Sequence, residues 1–154
     1  MAGKLSVDAF TSHVVNARWA EADACYEALQ ARFTDIPSAP IFYLIANFQT
    51  DDLRVALKRY PKMPVNRPNK KGQAPLLKAY HVANTDAAEM LLAAGAEVTA
   101  VDHYGNDIVQ YATWSKLDSA IEHAEKQLLA AGKKRQKQEK KKAARGNGAH
   151  VEAP

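Results

Sequence analysis

A shift of 33 residues lays this chain onto itself. Gly72 falls on Gly105, Val65 on Val98 and Asn69 on Asp102. Ala46 falls on Ala79 and then on Ala112, Tyr43 on Leu76 and Val109, Leu57 on Met90, and Phe10 on Tyr43. The matches are of type more than of identity, as expected where one packing position recurs. No other feature narrows the fold so far. A unit of this length is a single supersecondary piece whose apolar face stays open until a copy covers it, so the period implies stacked copies that stabilise one another.

The stretch between residues 72 and 105 makes local sense as two helices and an extended return. Pro75 suits the first turn of a helix, where its missing N–H costs nothing. Leu76, Ala79, Tyr80 and Ala83 follow at i, i+3, i+4 and i+7 and predict one apolar stripe. Asn84-Thr85-Asp86 interrupts it: Asn tolerates the left-handed conformation that ends a helix, and Thr or Asp caps the next one. A second helix over about 86–94 buries Met90, Leu91 and Leu92, and Gly95 stops it. Ala96 to Gly105 reads as an extended finger with a turn near Asp102-His103-Tyr104-Gly105. Small alanines at 46, 79 and 112 let the helices of adjacent units approach closely.

The run Asn69-Lys70-Lys71-Gly72-Gln73-Ala74-Pro75-Leu76-Leu77-Lys78-Ala79, with Leu91-Leu92-Ala93-Ala94-Gly95-Ala96-Glu97-Val98 after it, resembles the ankyrin repeat. That family's pattern runs Asp-x-x-Gly-x-Thr-Pro-Leu-His-x-Ala and later Leu-Leu-x-x-Gly-Ala-x-Val. Ile41 to Lys71 gives a preceding copy, with Met63 and Val65 where Ala96 and Val98 recur and Lys62 in place of the glycine. Asp102 to about Leu129 gives a following copy that keeps Gly105 and Ala112 and has Ile108 in place of the proline. The family's hydrogen-bonded Thr and His are absent: Ala74 and Leu77 stand there, and Asp107 and Gln110 in the next copy. The resemblance covers about 6–130 and is most specific over 66–105. It implies stacked helix pairs whose finger tips and first helices line a concave surface, and a role in binding another protein.

Residues 6–34 read as a degenerate N-terminal cap. Val7, Phe10, Val14 and Ala17 line one helix; Ala22, Cys25, Tyr26, Leu29 and Phe33 line another; Thr34-Asp35-Ile36-Pro37-Ser38 closes the pair with turn residues and a proline. At the other end, residues 131–154 hold eight Lys/Arg and two Glu, a net of +6, while the rest of the chain nets −2. The basic pI therefore belongs to the tail. Dense in charge and poor in apolar residues, that tail is expected not to pack, with Lys133 to Arg145 able to turn helical against an anion and Gly146-Asn147-Gly148 and Pro154 pointing to disorder at the end. It serves as a solubilising tail, an electrostatic arm or, in a eukaryotic host, an import signal.

Reactive chemistry finds little support. Cys25 is the single cysteine, which excludes an internal disulfide and a multi-thiolate zinc site and suits a buried structural thiol. His13, His81, His103, His123 and His150 offer no pair at metal-binding spacing with a carboxylate in the right role. Ser, Thr and Asp fall at caps and turns, and no nucleophile elbow or phosphate loop is present. No enzyme activity, metal or cofactor is expected. With no long apolar span and no secretory leader pattern, a cytoplasmic location is the expectation, or a nuclear one in a eukaryotic host.

Candidate contact residues come from exposure and charge. Arg54 to Lys78 holds eight basic residues (54, 58, 59, 62, 67, 70, 71, 78) and no acidic one. Arg54 and Lys58 share a helix face, and Lys70 and Lys71 occupy a finger tip, so the run divides between two surfaces. Trp19 and Trp114 have two readings, junction packing or a surface anchor, and Tyr80, Tyr104 and Tyr111 face the same choice, Tyr104 being the best candidate for exposure. The expected fold is all-α: an ankyrin-like helical-pair solenoid with short extended fingers, about three repeats over 39–130, an N-terminal helical cap over 1–38 and a basic, disordered tail over 131–154. The expected function is non-catalytic protein binding, with candidate contacts at Arg67, Lys70, Lys71, Lys78, His103, Tyr104 and Trp114. The rival is a binder of nucleic acid or another polyanion through the 54–78 run and the tail residues Lys133, Lys134, Arg135, Lys137, Lys140, Lys141, Lys142 and Arg145.

Overall fold

The computed structural model describes the backbone of residues 2–32 and 34–150 and the side chains of 7–32, 34–133 and 139–143. Phe33 and Pro154, and the side chains of Lys134, Arg135, Lys137 and Arg145, lie outside the described residues. The protein is all-α: eight helices follow one another and no strand occurs among the described residues. They are α1 (Ala2–Val15), α2 (Trp19–Ala31), α3 (Ala39–Ala46), α4 (Thr50–Arg59), α5 (Pro75–His81), α6 (Thr85–Ala93), α7 (Ile108–Ser115) and α8 (Asp118–His150).

The helices come as four pairs, and each pair turns on one left-handed residue that is not glycine: Ala17, Phe48, Ala83 and Lys116, with φ between 55 and 61°. A Cβ in that region costs about 1–2 kcal/mol. Hydrogen bonds across the turn offset it. Arg18 N donates to His13 O (2.8 Å), Gln49 N to Leu44 O (2.9 Å) and Asn84 N to Ala79 O (2.8 Å), while the left-handed residue itself donates to the carbonyl three back. This is the Schellman pattern, which satisfies orphan carbonyls at a helix end. The last junction departs from it: Ser115 Oγ donates to Ala112 O at 2.6 Å.

The junctions also give the true register. They step by 31, 35 and 33 residues, so a uniform shift of 33 misplaces the second pair by two residues and keeps the other three in register. Measured from its junction, Phe10 matches Ile41 and Leu76, and Val14 matches Ile45 and Tyr80; all six are buried. The equivalences of Phe10 with Tyr43 and of Tyr43 with Leu76 are thus corrected, since Tyr43 is 55% exposed. Ala46 likewise stands exposed, whereas Ala79 and Ala112 are buried as close-packing alanines. The physical reason lies at the end of α4. Gly95, at φ 99°, closes α6 in one residue, with Ala96 N donating to Leu91 O (2.9 Å). Without a glycine there, α4 needs the longer turn Tyr60-Pro61-Lys62, closed by Met63 N to Tyr60 O (3.0 Å). Register returns at Met63 and Ala96, both buried.

The first helices touch in chain order, α1 with α3, α3 with α5 and α5 with α7, and α4 packs on α6. Phe10, Tyr26 and Tyr60 form an aromatic knot between the first two pairs, with ring centroids 4.9–6.0 Å apart. Polar side chains cross between pairs as well. Arg59 clasps Asp23 with two hydrogen bonds (2.9 and 2.7 Å), and Tyr60 Oη donates to the same carboxylate (2.7 Å), joining α4 to α2. Gln49 Nε2 donates to Val15 O (2.9 Å). Asn84 caps α6 by accepting from Ala87 N (3.1 Å) and donates to Ile45 O (3.3 Å). Thr85 and Asp86, named from the sequence as possible caps, lie within α6, and Ala83 takes the left-handed position foreseen for Asn84.

The connections between pairs repeat as well. In the α4–α5 connection, the first finger, Asn69 Oδ1 accepts from Lys71 N (2.9 Å) and Gln73 N (3.1 Å); in the α6–α7 connection, the second finger, Asp102 Oδ1 accepts from Tyr104 N and Asn106 N (2.9 Å each). Gly72 and Gly105 take φ of 78 and 81° in these turns. The two connections are joined by Asn66, which donates to Gly95 O (3.2 Å) and accepts from Glu97 N (2.8 Å).

The boundary set at residue 131 falls inside α8, whose backbone stays helical to His150. Composition argued against regular structure there, but Lys, Arg, Gln, Glu and Ala are all strong helix formers. The described side chains from 139 to 143 are exposed, in keeping with a segment that does not pack.

Candidate partner-binding groove

Three pieces of chain enclose a groove of about 630 Å³. Pro37 and Ser38 come from the α2–α3 linker, Ala39, Phe42 and Tyr43 from α3, Arg67 to Lys71 and Gln73 from the first finger, and Lys78 from α5. Pro37 restrains the backbone of the linker, and α3 puts Phe42 and Tyr43 at the groove's edge. Arg67 Nη1 donates to Ile36 O (3.3 Å) and draws the finger towards the linker. The Asn69 turn points Lys70 and Lys71 outwards at the finger's tip, where both are exposed.

The charge is one-sided. The lining holds Arg67, Lys70, Lys71 and Lys78 and no Asp or Glu, and among the described residues none of these four cations is paired with a carboxylate. Their field reaches His81, whose pKa is lowered by burial first and then by Lys78 and Lys71. Two other members of the basic run pair away from the groove: Arg54 with Asp51 at 3.0 Å and Arg59 with Asp23 at 2.7 Å. A second depression of about 460 Å³ continues past Tyr43 and Ala39 along α1, lined by Val7, Asp8, Thr11, Ser12, Val15 and Asn16.

The other three candidates stand apart from the groove. The His103 ring lies against Gly72, where a Cβ would collide with it. Tyr104 projects from the second finger at 89% exposure. Trp114 is 47% exposed and packs edge-on against Tyr111 (5.0 Å) and His81 (6.4 Å), combining junction packing with an open face. Trp19 packs against the core. Tyr80 and Tyr111 are buried, and Cys25, expected as a buried structural thiol, is half-buried and packs against the core. Of the tail candidates, Lys133, Lys140, Lys141 and Lys142 are exposed.

Two side-chain groups were not legible in the sequence. Asp102 is surrounded by donors: Tyr111 Oη at 2.7 Å, Asn106 Nδ2 at 3.0 Å, and the Tyr104 and Asn106 amides. Burial raises its pKa, but these hydrogen bonds outweigh that and hold the carboxyl below the usual range. The second group is a chain across α5, α8 and α6, in which Tyr80 Oη meets His123 Nδ1 at 2.8 Å and His123 Nε2 meets Glu89 Oε1 at 3.1 Å. It resembles a relay in outline. The Tyr80 hydroxyl, however, is sealed from solvent and its pKa is pushed up, by burial and then by Glu89, so it stays neutral and ties α5 to α8. Among the described residues no group of His, Cys, Asp and Glu could hold a metal ion, and no helix is long and apolar enough to cross a membrane.

No family model matches this chain, and no curated protein matches it.

Proposed function

We propose that this protein is a non-catalytic protein-binding module of the cell interior: an ankyrin-like solenoid of about three repeats behind an N-terminal helical cap, presenting its concave side to a partner. The observation that carries this reading is the groove between the α2–α3 linker, α3, α5 and the first finger, with Phe42, Tyr43 and cations that have no ion-pair partner among the described residues on its walls. Every wall belongs to an element tied down by packing or by turn hydrogen bonds, so little order is lost on docking. The ankyrin-like part rests on the motif over 66–105, the four left-handed junctions, three of them with one hydrogen-bond pattern, and the two fingers that repeat hydrogen bond for hydrogen bond.

A photo-crosslinker at Tyr43, used in cell extract with and without nuclease, tests the reading. A discrete protein adduct that survives nuclease and is lost when the crosslinker is moved to the outer face of α4 is the expected result. The second reading, a polyanion binder, is favoured by the exposed lysines of α8. It predicts that nuclease removes the adduct and that Lys140, Lys141 and Lys142 changed together to Glu abolish retention on heparin, with a steep dependence on salt.

A further inference from the structure

Resting on the protein-binding reading, we propose that the groove takes an acidic peptide, an extended partner segment carrying Asp or Glu side chains beside an apolar one. Charge complementarity argues for it. Arg67, Lys70, Lys71 and Lys78 converge on one cavity whose lining contains no carboxylate, and among the described residues none of the four has an ion-pair partner. Four like charges this close repel one another and lower the stability of the free protein, a cost that an anion in the groove removes. The opposite wall is apolar: Pro37, Ala39, Phe42 and Tyr43 offer a seat for one non-polar side chain. Tyr43, more than half exposed, has no hydrogen-bond partner among the described residues, so its ring and hydroxyl are both open to a ligand.

The geometry favours peptide over nucleic acid. Phosphate binding along a strand needs cations spaced along a track with aromatic faces between them. Here the cations crowd one end, the finger and the adjoining turn of α5. Beyond Tyr43 the trough continues into the depression holding Asp8, whose charge opposes a continuing polyanion. A peptide with its acidic residues over the finger and a neutral or basic continuation along α1 matches both ends. An acidic side chain meeting Lys70 or Lys71 is partly desolvated by the walls, which strengthens the pairing over that of an open surface.

The test is fluorescence anisotropy on the full chain with a short fluorescein-labelled peptide of alternating Glu and Leu, with the Lys/Leu counterpart and labelled oligothymidylate as the other arms. The Glu/Leu probe is expected to bind saturably and the Lys/Leu probe not at all. Lys70→Glu with Lys71→Glu is expected to weaken the Glu/Leu probe about tenfold or more. Tyr43→Ser is expected to weaken it with no change in salt dependence. Lys140, Lys141 and Lys142 changed to Glu should leave affinity within about twofold, since none of the three lines the groove. Circular dichroism melts check that each variant is folded, and the exposed finger and tail sites leave the core untouched. Probe binding that is indifferent to the finger variant, that disappears with the tail variant, or that is outcompeted by oligothymidylate at the same lysines overturns the proposal. In that event a Tyr43 protein adduct that persists leaves the protein-binding reading standing, and its loss as well takes both down.

Discussion

Gly72 and Gly105 occupy the same turn at nearly the same positive φ, yet they are not equivalent. A Cβ on Gly105 meets open space, while one on Gly72 runs into the His103 ring. Alanine at 105 therefore carries only the left-handed penalty, about 1–2 kcal/mol. Alanine at 72 adds the collision, so it is expected to destabilise the protein by about 1–3 kcal/mol more in urea unfolding. His103→Ala in the Gly72→Ala background should recover most of that excess. No recovery would mean that the ring contact contributes nothing. Asn84 makes a different case. It is 4% exposed, caps α6 and bonds to Ile45 O, so Asn84→Ala loses a cap worth about 1 kcal/mol. It also removes the tie to the Ile45 carbonyl, which keeps its bond from Phe48 N (3.2 Å), so the expected total is about 1–2 kcal/mol. Acid response belongs to this scale too. Asp23 is held low by the Arg59 hydrogen bonds and then by Tyr60, and Asp102 by its ring of donors. A carboxyl whose folded pKa is depressed contributes stability that is complete above its unfolded pKa, about 3.9, and is lost as pH falls through the folded value. The urea midpoint should thus stay level from neutral pH to about pH 5 and fall below about pH 4, with Asp102→Asn flattening part of the decline.

Between elements, the bonds that hold one helix to another are the least periodic part of the molecule. The Tyr80–His123 contact is where α8 meets α5 through a buried hydroxyl. His123→Ala strands that hydroxyl and is expected to cost about 1–3 kcal/mol; Tyr80→Phe removes the hydroxyl itself and should cost less, about 1 kcal/mol. The double variant should then be no worse than His123→Ala alone, a coupling that a double-mutant cycle reads directly. Additive losses would show that the two side chains act independently. How far the fold was legible follows the same division. The fingers were read in register because Gly72 and Gly105 meet one backbone demand and Asn69 and Asp102 make one turn. The helix pair over 75–93 was read because a proline, an apolar stripe and a glycine punctuate it. The first pair of the repeat region was misaligned by two residues because α4 ends on a three-residue turn where α6 ends on Gly95. That slip hid Tyr43, which was matched to buried Leu76 and so left out of the candidate site, though Pro40 against Pro75 marks the correct shift of 35. The clasp on Asp23 and the bonds of His123 join residues 34–43 positions apart with no recurring spacing, and no sequence signal announced them.

For the molecule as a whole, stacking in chain order makes stability a matter of position. An element with packed neighbours on both sides draws on two interfaces and a terminal one on a single interface. α5 touches α3, α6 and α7, and Pro75, Leu76, Leu77, Ala79 and Tyr80 are all buried. Its amides should exchange most slowly with solvent, close to the global unfolding limit, while amides at 139–143, where the described side chains are exposed, should exchange fastest within α8. The pattern of a lesion's spread is the sharper test. Leu76→Ala opens a cavity in the middle of the stack and is expected to cost about 2–5 kcal/mol. Because α5 supports a neighbour on each side, protection should drop in α3 and α7 together with α5. Val14→Ala, in the first pair at the position that matches Tyr80, removes less volume and lies at one end of the stack, so protection should fall in α1 and α3 and stay intact in α7. If both variants lowered protection evenly along the chain, the helices would be sharing one indivisible core, and the propagation of stability from pair to pair would be the wrong picture of this fold.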